Sequence, residues 1–114
     1  MTVDDRDLIV RAALDYFEGW FDGDPSRMDR ALHGELVKRG AADELGVTTK
    51  DEMVEATRRG QGKRDTDRDV EVDVVDVHGP IATAVVRSAP YREYLHLVRT
   101  PDGWKIANTL YTRT

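Results

Sequence analysis

Val70–Ser88, "VEVDVVDVHGPIATAVVRS", is where the chain changes its period. Apolar residues alternate with polar ones on both sides of His78-Gly79-Pro80, so the stretch reads as two strands joined by a tight turn. The alternation slips at Val74-Val75, which predicts a bulge that bends the first strand. Downstream, "YREYLHLVR" and "WKIANTLY" form a second hairpin around "TPDG", where Pro101 and Gly103 suit a turn. Four antiparallel strands therefore occupy the second half of the chain.

Upstream the period is helical. Over residues 4–22, Leu8, Ile9, Ala12, Ala13, Tyr16, Phe17, Trp20 and Phe21 fall on one stripe. Asp4, Asp5 and Asp7 sit where the helix dipole favours negative charge. Gly23 is placed to cap this helix, and Asp24-Pro25 to restart another as N-cap and first helical residue. The second helix carries Met28, Ala31 and Leu32 inward and is expected to stop near His33-Gly34. "ELVKR", residues 35–39, reads as a short strand, and "GAADELG" as a loop. Thr49 and Glu52 have capping-box spacing and open a third helix with Met53, Ala56 and Thr57 on one face. "RRGQGKRDTDRD", residues 58–69, has no apolar residue and reads as a solvated connection.

Helices first and antiparallel strands after give an α+β class: three N-terminal helices packed on a strongly curved, mostly antiparallel sheet. Such a bent sheet forms a cone with room for an internal cavity. At 114 residues, 1–114 is one domain. It contains no cysteine, which excludes thiol chemistry and agrees with a reducing compartment. "MTVDDRD" is too acidic for a secretory signal, and no apolar run reaches membrane-spanning length, so the expectation is cytoplasmic with no membrane partner. A net charge of −5 argues against nucleic acid. His33, His78 and His96 share no metal-ligand spacing, so no metal is expected, and no cofactor motif is present.

The order of elements resembles the nuclear-transport-factor-2-like (cystatin-like α+β cone) superfamily. Within it, "AALDYFEGWFDGDPSRMDRALHGELVKR" and "YREYLHLVRTPDGWKIANTLY" are similar to the bacterial "Putative lumazine-binding" family, over residues 8–112. The superfamily hosts isomerases, cyclases, dehydratases and binding proteins, so the fold alone assigns no chemistry. In its steroid isomerases a helix tyrosine eight residues before the Asp of a Gly-Asp pair serves as oxyanion donor. Tyr16 stands so before Asp24. The carboxylate base that those enzymes need has no counterpart here, because Lys38, Arg39 and Gly40 surround the expected place.

The residues allow three functions. The first is a homodimeric binding protein that holds a small hydrophobic, aromatic or heterocyclic molecule. Its wall would be Tyr16 and Trp20, whose polar handles want partners when buried, with Met53 opposite. Phe17 and Phe21 are expected to seal the core. Arg87 is a further candidate, reading an anionic or carbonyl-bearing ligand or pairing with Asp73, Asp76 or Glu93. Asn108, placed in a row with Trp104, Ile106 and Leu110, needs either a structural partner or a ligand. The second function is an acid/base enzyme using Tyr16 with His33 or a strand carboxylate. The third is a dimerisation or regulatory module with a self-filled interior. Tyr94, His96 and Val98 face away from Leu95 and Leu97, an apolar row that suggests a sheet-to-sheet dimer interface.

Overall fold

The computed structural model describes residues 4–42 and 45–114. Helix α1 spans Asp5–Asp22, and Asp4 caps it by accepting from the Asp7 amide at 2.9 Å. It ends at Gly23, whose φ of 66° is the left-handed conformation that glycine adopts without a Cβ clash. Asp24 then accepts from the Ser26 and Arg27 amides and starts α2, Pro25–Ala31. That helix stops earlier than its sequence suggests, because Leu32 already has extended backbone and begins β1, Leu32–Gly40. The short strand expected at residues 35–39 is thus the middle of a nine-residue one.

β2, Gly46–Thr48, starts on the last residue of the stretch that reads as a loop and pairs antiparallel with the end of β1. α3, Lys50–Arg58, opens on the expected capping box: Thr49 and Glu52 satisfy one another's amides. The hairpins follow as β3 Val70–His78, β4 Ile81–Ser88, β5 Tyr91–Thr100 and β6 Gly103–Arg113. The sheet has the order β2-β1-β6-β5-β4-β3 and is not closed. Every neighbouring pair is antiparallel except β1 and β6. The first strand thus lies parallel to the last in the interior of the sheet.

Two bulges in the hairpins set the facing of their side chains, besides an irregularity between Leu32 and Val37 where β1 pairs with β6. The first interrupts pairing between Val74 and Asp76, where the sequence alternation slips, and leaves Val75 exposed. The second is silent in the sequence. His96 pairs with Asn108 but Leu97 with Ile106, so Ala107 is an extra residue in β6. Each side chain after it changes face. Trp104 and Ile106 are buried, and then Thr109, rather than Leu110, points inward.

All three helices cover the inner face. Ile9, Ala13, Phe17 and Phe21 of α1, with Met28 of α2, pack on Ala84, Val86, Leu95, Leu97 and Ile106 of the strands. The start of α1 is pinned by Asp5, which accepts from the Trp104 indole at 3.0 Å and pairs with Arg99 at 3.2 Å. Asp15 accepts from Arg27 and Arg30 and ties α1 to α2. These anchors fix the rotation of α1, and hence where Tyr16 points. Among the described residues no helix is long and apolar enough to cross a membrane.

Candidate functional site

The inner face is not filled to its end. Where α1, α3 and the segment after α3 meet β1, β5 and β6, a cavity of about 320 Å³ remains. That volume lies near the lower end of small-molecule pockets. Trp20, Met53, Tyr91 and Tyr111 form its walls, and Phe17 borders it while remaining core. Gln61, Arg64 and Arg113 stand at the solvent side. The aromatic walls are organised: Tyr91 and Tyr111 meet edge to face, 5.9 Å between centroids, and the Arg113 guanidinium lies 4.8 Å over Tyr91 while donating to its hydroxyl.

The floor is polar and buried. Tyr16 and Glu93 are each only 2% exposed, and the Tyr16 hydroxyl donates to Glu93 Oε2 at 2.5 Å. Lys38 Nζ donates in turn to the Tyr16 oxygen and stands 3.7 Å from Glu93 Oε2. Its ammonium lies 4.5 Å from the Tyr111 ring centroid and 4.9 Å from that of Tyr16. Burying one charge alone would be costly, whereas a hydrogen-bonded pair is tolerated. Burial, and then the charge of Glu93, push the Tyr16 phenol well above its ordinary range, so it stays protonated at neutral pH. Burial pulls Lys38 below the usual lysine value, opposed by Glu93. Thr109, in register with Lys38, buries a hydroxyl without an aligned partner among the described residues.

Of the residues singled out from sequence, Tyr16, Trp20 and Met53 line this one cavity. The others go elsewhere. Asn108 is exposed on the outer face, because the extra residue Ala107 turns it away from the row of Trp104 and Ile106. Arg87 also sits on the outer face with Ile81, Thr83 and Val85, within 3.6 Å of Glu71 and 4.0 Å of Asp73. His33 belongs to β1, where its Nδ1 accepts from the Glu35 amide at 3.0 Å. It borders a separate shallow depression with Asp29 and Lys105, which Tyr16 does not line. Its hydrogen bond stays within β1, whereas the Tyr16 hydroxyl bonds Glu93 and Lys38. Tyr94 and His96 are exposed and Val98 is half-buried, all on the outer face. Among the described residues no cluster has the make-up of a metal site.

Sequence reading missed Lys38, Glu93, Tyr91 and Tyr111. Two signals were present. Glu93 heads the row that continues through Leu95 and Leu97, a charge in an apolar line. Lys38 is two residues beyond buried Leu36 and so shares its inward face. The segment 58–69 is also more than a solvated connection. Gly62 is buried directly against Trp20, and a Cβ there would lie 2.3 Å from the Trp20 carbonyl oxygen.

This geometry defines a class: an open-sheet α+β cone whose helices leave a cavity with aromatic walls and an ionic floor. The family model described as "Putative lumazine-binding" matches residues 4–112, and the chain belongs to that family. Solved structures agree on the fold. An NTF-2 like protein of unknown function from Silicibacter pomeroyi superposes with a TM-score of 0.77 at 17% identity, covering 96% of this chain and 95% of that one. A ketosteroid isomerase-like protein from Erwinia carotovora atroseptica gives 0.69 at 18%, covering 98% of both. A cystatin-like domain of unknown function from Nostoc punctiforme gives 0.72 at 13%, covering 100% of this chain and 80% of that one. No curated protein matches the sequence.

Proposed function

We propose that this protein is a homodimeric receptor for a small aromatic or heterocyclic molecule held in the cavity beside Trp20. The observation that carries the reading is the pairing of aromatic walls with a desolvated Lys38–Tyr16–Glu93 floor. Stacking faces supply area, and a few fixed polar groups supply orientation. The family description points to the same kind of ligand.

The homodimer rests on the outer sheet face. Ile81, Tyr94 and Leu110 are 57%, 49% and 45% exposed there, with His96 and Val98 between them. A second copy would bury that row. A second reading, proton-transfer catalysis, draws on Glu93, a strand carboxylate bonded to Tyr16 inside the cavity. Against it, the Tyr16 hydroxyl already donates to Glu93 and so is not free to stabilise an oxyanion.

The test is a thermal-shift panel of pteridines, flavins, steroids and polyketide-like phenols. A ligand at a hundred times its Kd adds about 2.7 kcal/mol, a rise of roughly 10 °C for a domain of this size. A response from one class, with quenching of tryptophan emission that Trp104→Phe retains, is the expected result. No response from any class refutes the receptor. Turnover of a bound ligand would favour the enzyme. Light scattering that gives a monomer at high concentration would remove the dimer.

A further inference from the structure

We infer that the cavity floor reads a lactam edge, a ring N–H beside a ring carbonyl, with Glu93 accepting from the N–H and Lys38 donating to the carbonyl oxygen. The inference rests on the small-molecule reading above and names its ligand class.

The argument starts from which atoms are already occupied. The hydrogen bond from Tyr16 and the approach of Lys38 both fall on Glu93 Oε2. Oε1 receives neither, and Glu93 borders the cavity. An ammonium has three donors, and one of those on Lys38 goes to Tyr16. At 3.7 Å the contact with Glu93 is an ion pair longer than a hydrogen bond. Lys38 therefore keeps donors for the cavity, and Glu93 keeps an acceptor, side by side. Tyr16 acts as the spacer, fixing both groups at once so that neither can collapse fully on the other.

A planar amide presents the complementary pair, its nitrogen and oxygen about 2.3 Å apart on one edge. Other ligand types fit worse. A hydrocarbon or steroid skeleton would leave a buried carboxylate oxygen without water or partner. A carboxylate laid on the floor would face Glu93, and an amine would face Lys38. A neutral lactam satisfies both groups, while its ring stacks between Trp20 and the Tyr91–Tyr111 pair.

The experiment uses two matched pairs on the wild-type protein, so folding is not in question: lumazine against 1,3-dimethyllumazine, and 2-quinolone against N-methyl-2-quinolone. Binding is read by titration calorimetry and tryptophan emission. Methylation replaces the donor to Glu93, and the expected loss is about 10- to 100-fold in Kd, the scale of one hydrogen bond to a charged group. In Glu93→Gln, checked for folding by its melting transition, that preference for the unmethylated partner should shrink, since a neutral acceptor is weaker. Equal affinity within both pairs overturns the lactam assignment and leaves the receptor standing. Failure of both parents to bind also overturns it, and the receptor falls with it only if the wider panel is silent too. A preference that survives unchanged in Glu93→Gln overturns the role of Glu93.

Discussion

Tyr16→Phe removes one oxygen and nothing else. In the folded protein that oxygen is the donor to Glu93 Oε2 at 2.5 Å and the acceptor for Lys38 Nζ. The ring keeps its edge-to-face contact with Phe17 at 5.0 Å, so packing is preserved. What remains is a carboxylate only 2% exposed, opposed by an ammonium 3.7 Å away and no longer hydrogen-bonded through the phenol. Leaving such a group short of a partner costs about 2–3 kcal/mol. Unfolding entropy for a chain of this length converts each kcal/mol into roughly 4 °C, so the melting temperature should fall by about 8–12 °C. Urea unfolding at pH 7 should give the same free energy with an unchanged m-value. A double-mutant cycle with Glu93→Gln should show a coupling of at least ~1 kcal/mol. A fall under 2 °C, roughly 0.5 kcal/mol on the same scale, or strictly additive effects, would refute the idea that these three groups form one buried unit.

Gly62→Ala should destabilise by about 1–3 kcal/mol: the added Cβ would meet the Trp20 backbone oxygen at 2.3 Å and the indole Cδ1 at 2.6 Å, and the backbone cannot yield cheaply. An unchanged melting temperature and tryptophan emission would disprove that contact. Lys38 should leave a pH signature. Its folded pKa lies below 10.5, so between the folded value and 10.5 the unfolded chain binds more protons, and stability should rise with pH in that window. Lys38→Met should lack the rise, as urea unfolding on the alkaline side of neutral will show; parallel curves would contradict the burial of the ammonium. Above 10 the raised pKa of Tyr16 works the other way, because the folded state then holds the proton longer, and stability should decline again.

Much of the frame was legible from local chemistry. Asp4, Asp24-Pro25 and Thr49–Glu52 mark three helix starts because a cap depends on neighbours within one turn. The bulge at Val75 could be read because two successive valines break an otherwise regular alternation. The bulge at Ala107 could not. Both registers of "ANTLY" put an apolar residue inward, Leu110 in one and Tyr111 in the other, so the pattern cannot choose. Asn108 was misplaced for that reason alone. Trp20 and Met53 were recoverable as wall residues because each lies on the apolar stripe of its own helix.

The amino-acid order by itself determined the elements, their caps, the hairpins and the α+β layering, since each depends on residues a few positions apart. Only the tertiary structure decided the site. Tyr16 meets Lys38 across 22 residues and Glu93 across 77, and no local rule says which of several inward polar groups will touch. That choice follows from the parallel insertion of β1 beside β6 and from the anchoring of α1 by Asp5, which together bring three distant, buried side chains to one end of the cavity.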